Sequence, residues 1–294
     1  MAWRFALVID SVASGSGRGD FSDTFTVVDP AGPVLSLGEL SAQRGDGVFE
    51  SLGVVDGHAQ EVGPHLDRLA HSARLCDLPA PNVDQWRAAI ARVAVEAGPG
   101  ESVIKLILSR GVEDGPSPTA WVTLGDAPDN ARSRTEGVRV ATLDRGYALD
   151  TPSRAPWLLL GAKTLSYAVN MAAIREAKRR GADDAVFVTT DGFVLEAPTA
   201  SVLLRFGDRF VTPAPAAGIL HGTTQLSLFA LLERRGFRTA YETVPVQDLV
   251  RADAAWLLSS VRLAAPIAAV DGEVRPVDRV FTDELNAYLL SPRE

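Results

Sequence analysis

Strand-length apolar runs that end in tight turns are the feature that most restricts the fold of this 294-residue sequence. Residues 44–57 alternate between the two faces of a strand and end in Asp56-Gly57, a dipeptide typical of β-hairpins. Residues 185–196 and 201–212 repeat the hairpin pattern later in the chain. Apolar residues at helical spacing predict four longer helices, over 64–75, 83–97, 166–180 and 226–235. The sequence therefore predicts a mixed α/β chain.

Length and composition favour two domains. A chain of 294 residues, 46% of them hydrophobic, can bury a sizeable core, and most domains are shorter than this. Residues 126–137 are polar and contain proline and glycine, which is typical of a linker. We therefore expect an N-terminal domain over 1–125, a linker over 126–137 and a C-terminal domain over 138–294.

Charge and cysteine content restrict the partners and the compartment. The formal net charge of −8 argues against nucleic acid or an anionic membrane as the main partner. The single cysteine, Cys76, excludes an internal disulfide and fits a reducing cytoplasm. Because Cys76 lies in an apolar helical pattern, we interpret it as a core residue. No run is long and apolar enough to span a membrane, and the N-terminus lacks a signal peptide, so we expect a soluble cytoplasmic protein.

Lys163 is the first candidate for chemistry. The chain has three lysines, and this one follows the apolar run Trp157-Leu-Leu-Leu160 at the start of a predicted helix. Lysine is rarely buried unless it is paired or used. A partly desolvated lysine loses its proton more easily and becomes a nucleophilic amine. The plain alternative is a lysine at a strand end whose charged head reaches solvent.

Three further features fit the same chemistry. Glu196 ends a strand of the hairpin in 185–196, where a carboxylate could hold a protonated ring nitrogen. Gly222-Thr223-Thr224 precede a helix, where backbone N–H groups and the helix dipole bind anions. Arg68 lies in a predicted helix and offers a charged fork suited to phosphate. Each alone also fits a structural role: a solvated strand end, an ordinary helix cap and a surface charge, respectively.

Together these motifs resemble the class IV pyridoxal-phosphate enzymes, which have fold type IV. This family contains branched-chain aminotransferases, D-amino-acid aminotransferases and 4-amino-4-deoxychorismate lyases. The matching pieces follow the family's order between about residues 44 and 267. They are Gly45-Asp-Gly-Val-Phe-Glu50, His65-Leu-Asp-Arg-Leu69, Lys163-Thr-Leu-Ser-Tyr167, Glu196-Ala-Pro-Thr-Ala-Ser201, Thr212-Pro213, Gly218-Ile-Leu-His-Gly-Thr-Thr224 and Ser259-Ser260. Ser201 departs from the asparagine that the family often has there.

The resemblance implies a role for each matching residue. Lys163 would be the Schiff-base lysine for pyridoxal 5′-phosphate (PLP) and a general acid/base, and Glu196 the partner of the pyridine nitrogen. Tyr167 would approach the phenolic oxygen of the cofactor. The phosphate would be bound by Arg68, Thr223, Thr224 and Ser260.

The resemblance also implies the architecture and the assembly. The family folds as a small α/β domain and a larger barrel-like domain, with the cofactor between them. Its members act on small-molecule substrates and are usually homodimers. No metal is expected.

The resemblance to one subgroup points to a reaction. D-amino-acid aminotransferases have an arginine and a histidine just after an Arg-Gly pair, whereas Arg110-Gly111 is followed here by Val112-Glu-Asp-Gly-Pro116. Branched-chain enzymes usually have Thr-Ala-Ala where this chain has Ser260-Val-Arg-Leu263. The run Val103–Gly111 instead resembles the lyase subgroup, although an arginine and an asparagine found in some lyases are absent.

We therefore expect 4-amino-4-deoxychorismate lyase activity, which releases pyruvate and leaves 4-aminobenzoate for folate synthesis. A class IV aminotransferase for branched-chain or D-amino acids is the alternative. The substrate carboxylates need cationic or hydroxyl partners. The candidates for substrate binding are Phe49, Ser51, Lys105, Arg110 and Arg262.

Overall fold

A computed structural model describes residues 2–293, which form two compact units. The first unit comprises residues 2–128, together with the later segments 162–167 and 291–293. The second unit comprises Asp129–Gly161 and Ala168–Leu290. The domain limits predicted from the sequence stay a prediction. The segment with Lys163 is notable because it belongs to the first unit although it comes late in the chain.

The first unit is built on a six-stranded antiparallel sheet with the strand order β2-β1-β6-β5-β3-β4. Its strands are β1 (Trp3–Ile9), β2 (Phe25–Val28), β3 (Gly47–Val55), β4 (His58–Ala59), β5 (Glu101–Ser109) and β6 (Thr119–Asp126). Its helices are α1 (Leu40–Gln43), α2 (Val62–Leu75) and α3 (Val83–Ala94). The predicted strand over 44–57 is thus confirmed as β3, with the Asp56-Gly57 turn leading into β4.

One face of this sheet forms the core of the first unit with the two longer helices. Leu52, Ile104 and Leu124 on three neighbouring strands are fully buried, as are Leu66 and Leu69 of α2. Over residues 50–55 of β3 and 119–124 of β6, buried positions alternate with partly exposed ones, as expected for a sheet with one covered face. The residues between them, including Ser51 and Lys105, therefore lie on the other face.

The second unit contains an eight-stranded sheet that curves into a half-barrel. The strand order is β11-β10-β9-β12-β13-β7-β8, and β14 pairs with β13. The strands are β7 (Val138–Asp144), β8 (Asp184–Val188), β9 (Ser201–Phe206), β10 (Arg209–Pro213), β11 (Arg238–Glu242), β12 (Ala254–Ser259), β13 (Leu263–Val270) and β14 (Glu273–Val274). The helices are α4 (Ala131–Thr135), α5 (Thr151–Arg154), α6 (Ala168–Arg179), α7 (Thr223–Arg234), α8 (Asp248–Arg251) and α9 (Arg279–Leu290). The predicted mixed α/β fold is confirmed.

An aromatic cluster holds α9 against the half-barrel. Phe210 and Trp256 are fully buried, and Phe281 of α9 packs on both rings. The indole N–H of Trp256 donates a hydrogen bond of 2.8 Å to the hydroxyl of Thr282, so its polar atom is also satisfied. Both α9 and β13 were absent from the sequence prediction. Pro266 and four alanines weaken the strand signal of β13, whereas α9 has a helical apolar spacing that the prediction overlooked.

Element boundaries differ from the prediction where capping decides them. Helix α7 begins at Thr223 instead of residue 226, because Gly222 adopts the extended conformation of an N-cap. Helix α3 ends at Ala94, three residues before its predicted end. In the hairpin over 185–196, the second arm makes backbone hydrogen bonds such as Leu195 N–H to Phe187 O but forms no continuous ladder. Across residues 2–293, no helix has both the length and the apolar character needed to cross a membrane.

Candidate active site

The segment with Lys163 pairs with the edge of β3. The N–H of Phe49 donates to the carbonyl of Lys163 at 3.0 Å, and the N–H of Leu165 donates to the carbonyl of Gly47 at 2.8 Å. Between these bonds, Val48 and Thr164 form an antiparallel bridge. Residues 163–165 thus extend the sheet of the first unit by one short strand.

Two glycines permit this close pairing. A Cβ at Gly47 would come within 2.8 Å of a Leu165 side-chain atom and of the Leu108 carbonyl. Gly45 has a φ of +67°, and a Cβ there would lie 3.0 Å from the hydroxyl of Ser166. Such a φ strains any residue with a Cβ, and the space is already filled. The Gly45-Asp46-Gly47 motif therefore has a steric explanation that does not depend on any ligand.

The pairing register places two of the three lysines of the chain beside one aromatic ring. Lys163 lies opposite Phe49, and opposite residues in an antiparallel pair project from the same face. One row further along that face, Ser51 lies opposite Lys105. The Nζ atom of Lys163 is 4.4 Å from the centre of the Phe49 ring, and that of Lys105 is 4.7 Å from it. The ring of Tyr167 meets Phe49 edge-on at 5.3 Å.

Lys105 is a partly desolvated cation. Burial in the sheet face lowers the pKa of its ammonium group, because the surroundings replace water poorly. Among residues 2–293, no carboxylate lies within ion-pair distance of its Nζ atom. The Phe49 ring is the cationic group's compensating neighbour. Lys105 is therefore suited to bind an anion that comes from outside the chain.

Helix α2 holds the Lys163 segment and an ion pair on the same side. The hydroxyl of Ser72 accepts the N–H of Lys163 at 3.1 Å. One and two turns earlier, Arg68 and His65 both contact Glu50 of β3. Burial alone would raise the pKa of Glu50, but the charge and hydrogen bonds of Arg68 and the bond from His65 hold it well below its usual range.

Glu50, His65 and Ser72 were missed as site residues by the sequence prediction. A signal for Glu50 exists: it is an acidic residue on the helix-facing side of an apolar strand, where an unpaired carboxylate would be costly. Its partners lie in a helix that the sequence predicts, but their distance from Glu50 depends on how α2 packs on β3. Ser72 gave no signal, because a serine within a helix is common.

Arg110 already has partners for its guanidinium group. It forms an ion pair with Asp46, with Nε 2.7 Å from the carboxylate, and donates to the carbonyl oxygens of Cys76 at 2.8 Å and Asp77 at 3.1 Å. The hydrogen bond that Arg110 donates to Asp46 raises the pKa of Arg110 above its ordinary value. This arrangement fixes the turn after β5 to the end of α2. The predicted contact of Arg110 with substrate stays a prediction.

In the second unit, three hydroxyl groups meet at the start of α7. The hydroxyls of Thr223 and Thr224 lie 3.3 Å and 3.4 Å from the hydroxyl of Ser260. Both threonines are buried, at the N-terminal end of a twelve-residue helix. Exposed N–H groups and the helix dipole favour an anion at such an end, and hydroxyl groups add donors. Their chemistry matches that of a phosphate group.

Glu196 lies in the same unit, and its carboxylate is oriented by the loop before α7. The N–H of Leu220 donates to one of its oxygens at 3.2 Å, and its own carbonyl accepts the N–H of Phe187. Burial raises the pKa of the nearby Tyr147 hydroxyl, and the negative charge of Glu196 adds to that effect. The bond from Leu220 therefore fixes the position of one carboxylate oxygen of Glu196.

Arg262 is mostly buried beside the β12–β13 turn. Its Nη1 atom donates to Asp184 at 2.8 Å, whereas Nε and Nη2 find no hydrogen-bond acceptor among the described residues 2–293. Asp184 thus compensates its charge. Whether Arg262 binds substrate stays a prediction, as does the role of each other predicted site residue.

A model of a known protein family matches this chain. The model for amino-transferase class IV matches residues 47–270, a range that contains β3, the Lys163 segment, Glu196 and the start of α7. The chain belongs to the class IV aminotransferase family.

Similar proteins cover nearly the whole of this class IV chain. A bifunctional aminodeoxychorismate lyase / D-amino acid transaminase of Mycobacterium tuberculosis is 42% identical over 281 residues, which cover 91% of this chain and 97% of that protein. A fold IV transaminase from Curtobacterium pusillum has a TM-score of 0.92 and 45% identity over 97% of each chain. The PLP-bound form of a hypothetical aminotransferase from Mycobacterium tuberculosis has a TM-score of 0.90 and 40% identity, covering 99% of this chain and 100% of that one.

The predicted family, fold type and cofactor are therefore confirmed: the chain is a PLP enzyme of fold type IV. The residues present fit that cofactor. An amine suits its aldehyde, a carboxylate suits its ring nitrogen, and the hydroxyl cluster at a helix start suits its phosphate. Gly222, which precedes these hydroxyls, packs closely on Ser201, because a Cβ at Gly222 would overlap with the Ser201 hydroxyl.

Gly222→Ala should therefore displace the start of α7 and weaken binding of PLP. Overpacking of this kind costs about 1–3 kcal/mol. Replacing Ser201 by alanine as well should restore binding, because the closest remaining atom, Ser201 Cβ, would be 3.4 Å away. The PLP dissociation constant, measured by titration of cofactor-free protein, checks this.

Gly63→Ala is the matched control for that measurement. It lies in α2, has no atom within 4 Å of an added Cβ and has an ordinary φ, so it should leave PLP affinity unchanged. If Gly222→Ala binds PLP as tightly as the unchanged protein, the steric explanation is wrong. It is also wrong if the double variant Gly222→Ala/Ser201→Ala binds PLP no better than Gly222→Ala.

Proposed function

We propose that this class IV enzyme is a 4-amino-4-deoxychorismate lyase, which converts its substrate into 4-aminobenzoate and pyruvate. The observation that carries the proposal is that Lys105 and Lys163 both lie beside the ring of Phe49. The similarity to a relative that is named as a bifunctional lyase and transaminase supports it. The folate pathway uses 4-aminobenzoate, so we also propose a place in folate synthesis.

The charge pattern of the substrate fits that placement. Aminodeoxychorismate has two carboxylates, and neither is attached to the carbon that bears the amino group. Lys105 is a second cationic group beside the same ring as Lys163, and it would bind one of these carboxylates. An amino acid, in contrast, has its carboxylate on the reacting carbon itself. Lys105 is desolvated and lacks a carboxylate partner among the described residues, so an added carboxylate would bind strongly.

We assign the cofactor contacts to the residues that the family resemblance implies. Lys163 would hold PLP covalently and Glu196 would hold its ring nitrogen in the protonated state. Tyr167 would lie near the phenolic oxygen. The phosphate would be bound by Arg68, Thr223, Thr224 and Ser260. When bound, PLP supplies an electron sink for the electron pair left by the departing proton.

The amine of Lys163 then acts as the general base and acid. It takes the proton from the carbon that bears the substrate amino group. The bond between the ring and the enolpyruvyl oxygen breaks, the ring becomes aromatic, and the leaving enolate gains a proton on its terminal carbon to become pyruvate. Atoms and charges balance without an oxidant. The backbone bonds from Phe49 and to Ser72 hold Lys163 in place for both proton transfers.

Transamination of D-amino acids is the second candidate. The relative at 42% identity has that activity in its name, and both reactions need the same proton transfer by a lysine. Glu113 and Asp114 follow Arg110-Gly111 and would repel a carboxylate at that position, which favours the lyase. For branched-chain amino acids, no contact in either unit offers separate support.

Product analysis tests the proposed reaction. We expect PLP-loaded enzyme to form equal amounts of 4-aminobenzoate and pyruvate from aminodeoxychorismate, and to transaminate D-alanine with 2-oxoglutarate more slowly. Lys163→Ala should abolish both reactions. Brisk transamination without 4-aminobenzoate would contradict the lyase assignment and establish the second candidate.

Lys105→Met should lower activity and raise stability. Because burial lowers the pKa of Lys105, its charged form destabilises the folded chain below that pKa, and the penalty disappears above the ordinary value of 10.5. The variant should therefore melt at a higher temperature than the unchanged protein at pH 7, with no difference near the ordinary pKa. Loss of a charge-assisted bond should reduce kcat/KM for aminodeoxychorismate by about tenfold to a hundredfold.

Lys178→Met is the control, since Lys178 is exposed on α6. Lys178→Met should change neither the melting temperature nor kcat/KM for aminodeoxychorismate. An equal loss of activity toward D-alanine and aminodeoxychorismate in Lys105→Met would show that Lys105 does not recognise the lyase substrate.

We also propose that the enzyme is a cytoplasmic homodimer. Trp157, Leu158, Val169 and Met171 are large apolar residues with exposed side chains in the second unit, and such surfaces often bind a partner. The single cysteine, Cys76, is buried and unpaired, which suits a reducing compartment. Sedimentation equilibrium should give twice the 31.3 kDa chain mass, and a mass of one chain would contradict the dimer.

A further inference from the structure

Glu50 has an unusual position for a carboxylate. It lies in the middle of β3, is completely buried and points toward α2. Its two oxygens accept hydrogen bonds from Nε and Nη2 of Arg68, each at 2.7 Å. A third contact of 2.7 Å joins Oε2 to Nδ1 of His65. Three short contacts therefore converge on one carboxylate inside the first unit.

The charges of this cluster follow from its contacts. Despite its burial, Glu50 is ionised, because the charge and hydrogen bonds of Arg68 and the bond from His65 lower its pKa well below the usual range. An ionised carboxylate only accepts hydrogen bonds, so Nδ1 of His65 must carry the proton. Burial lowers the pKa of His65 below its ordinary value although the hydrogen bond and charge of Glu50 oppose this, and the positive charges of Arg68 and Lys163 lower it further. Glu50 and Arg68 therefore form the ion pair at the centre of this cluster.

The ion pair fixes the direction of the Arg68 guanidinium group. A guanidinium is planar, and its N–H bonds have fixed directions. With the Nε and Nη2 edge on Glu50, the Nη1 end of the plane must point away from β3. An arginine side chain otherwise has many rotamers, and ordering it costs entropy. Because the ion pair with Glu50 forms during folding, the Arg68 side chain loses this entropy before any ligand binds.

We propose that Glu50 is a positioning residue that orients Arg68 toward the phosphate of the cofactor. The inference rests on the proposed function only in assigning Arg68 to that phosphate. Glu50 contacts Arg68 and His65, and of these two only Arg68 is assigned to the phosphate, so the effect of Glu50 on the phosphate would pass through Arg68. Its removal must therefore weaken binding of the phosphate and leave binding of the rest of the cofactor unchanged.

A purely structural ion pair makes a different prediction. If Glu50 and Arg68 only hold α2 on β3, breaking the pair destabilises the fold and weakens every ligand to a similar extent. Pyridoxal, which is PLP without its phosphate, separates the two explanations. The ratio of the dissociation constants of pyridoxal and PLP reports the contribution of the phosphate and is insensitive to a general loss of folded protein.

The experiment compares this ratio between the unchanged protein and Glu50→Gln. The glutamine has nearly the same shape but places an N–H group against Arg68. We expect the PLP dissociation constant to rise by about tenfold to a hundredfold, equivalent to one charge-assisted hydrogen bond to the phosphate. The pyridoxal dissociation constant should stay within about twofold. Both are measured by absorbance titration of cofactor-free protein, with no substrate present.

Glu39→Gln is the matched control. Glu39 is as deeply buried in the first unit as Glu50, but it accepts hydrogen bonds from the hydroxyls of Ser109 and Thr119 instead of an arginine. Its removal should leave the ratio unchanged. A change of the ratio in both variants would show that any buried carboxylate has this effect, and would overturn the proposal.

The double variant Glu50→Gln/Arg68→Met provides a second measurement if Glu50→Gln folds poorly. Removing both charges leaves no uncompensated ion in the interior, so this chain should fold. If Glu50 acts through Arg68, the ratio in the double variant should equal that in Arg68→Met alone. A further loss of the ratio in the double variant would overturn the proposal.

The outcomes also separate this inference from the proposed function. Binding of PLP and pyridoxal is independent of which substrate reacts, so failure to form 4-aminobenzoate leaves the test of Glu50 intact. An unchanged ratio in Glu50→Gln would overturn the role of Glu50 while the lyase assay still succeeds. An unchanged ratio in Arg68→Met would remove Arg68 from the phosphate and overturn the inference at its starting point.

Discussion

Backbone pairing between residues 163–165 and the edge of β3 is the constraint on which the rest of the first unit's chemistry depends. The antiparallel register fixes the face of the sheet from which Lys163 projects, because a shift by one residue would turn its side chain to the opposite face. The shared face brings Lys163 to Phe49 and, one row away, to Lys105. Small residues at 45 and 47 are required because the paired segment fills the space that a side chain would need.

The cationic side chains of the first unit differ in whether they are already paired with a carboxylate, a difference that composition alone does not show. Arg68 and Arg110 are both paired with carboxylates of the same unit, whereas Lys105 has an aromatic ring as its neighbour. A paired cation is already stabilised, so its pKa rises or its partner's falls, as Arg110 and Glu50 show. A desolvated cation without such a partner costs stability, and proteins retain such groups mainly where they are used.

Much of the fold was predictable from local patterns. The hairpin at Asp56-Gly57, the hairpin over 201–212 and the helix with Arg68 all follow from periodicity and turn residues. The start of α7 was predicted three residues late, because a glycine cap changes where helical dihedral angles begin without changing the apolar spacing. Strand β13 was missed because its alanines and proline carry little strand preference, and its pairing with β12 and β7 stabilises it instead.

The sequence by itself determined the family and the cofactor, because ordered motifs around Lys163, Glu196 and Thr223-Thr224 persist along the chain whatever their distances in space. Only the tertiary structure decided which charges meet. The contacts of Glu50 with Arg68, of Ser72 with Lys163 and of Arg110 with Asp46 join residues 18, 91 and 64 positions apart. Local propensity acts over a few residues, whereas these contacts arise from how helix, strand and turn pack together. That packing determines which cations are already neutralised and which can bind a ligand.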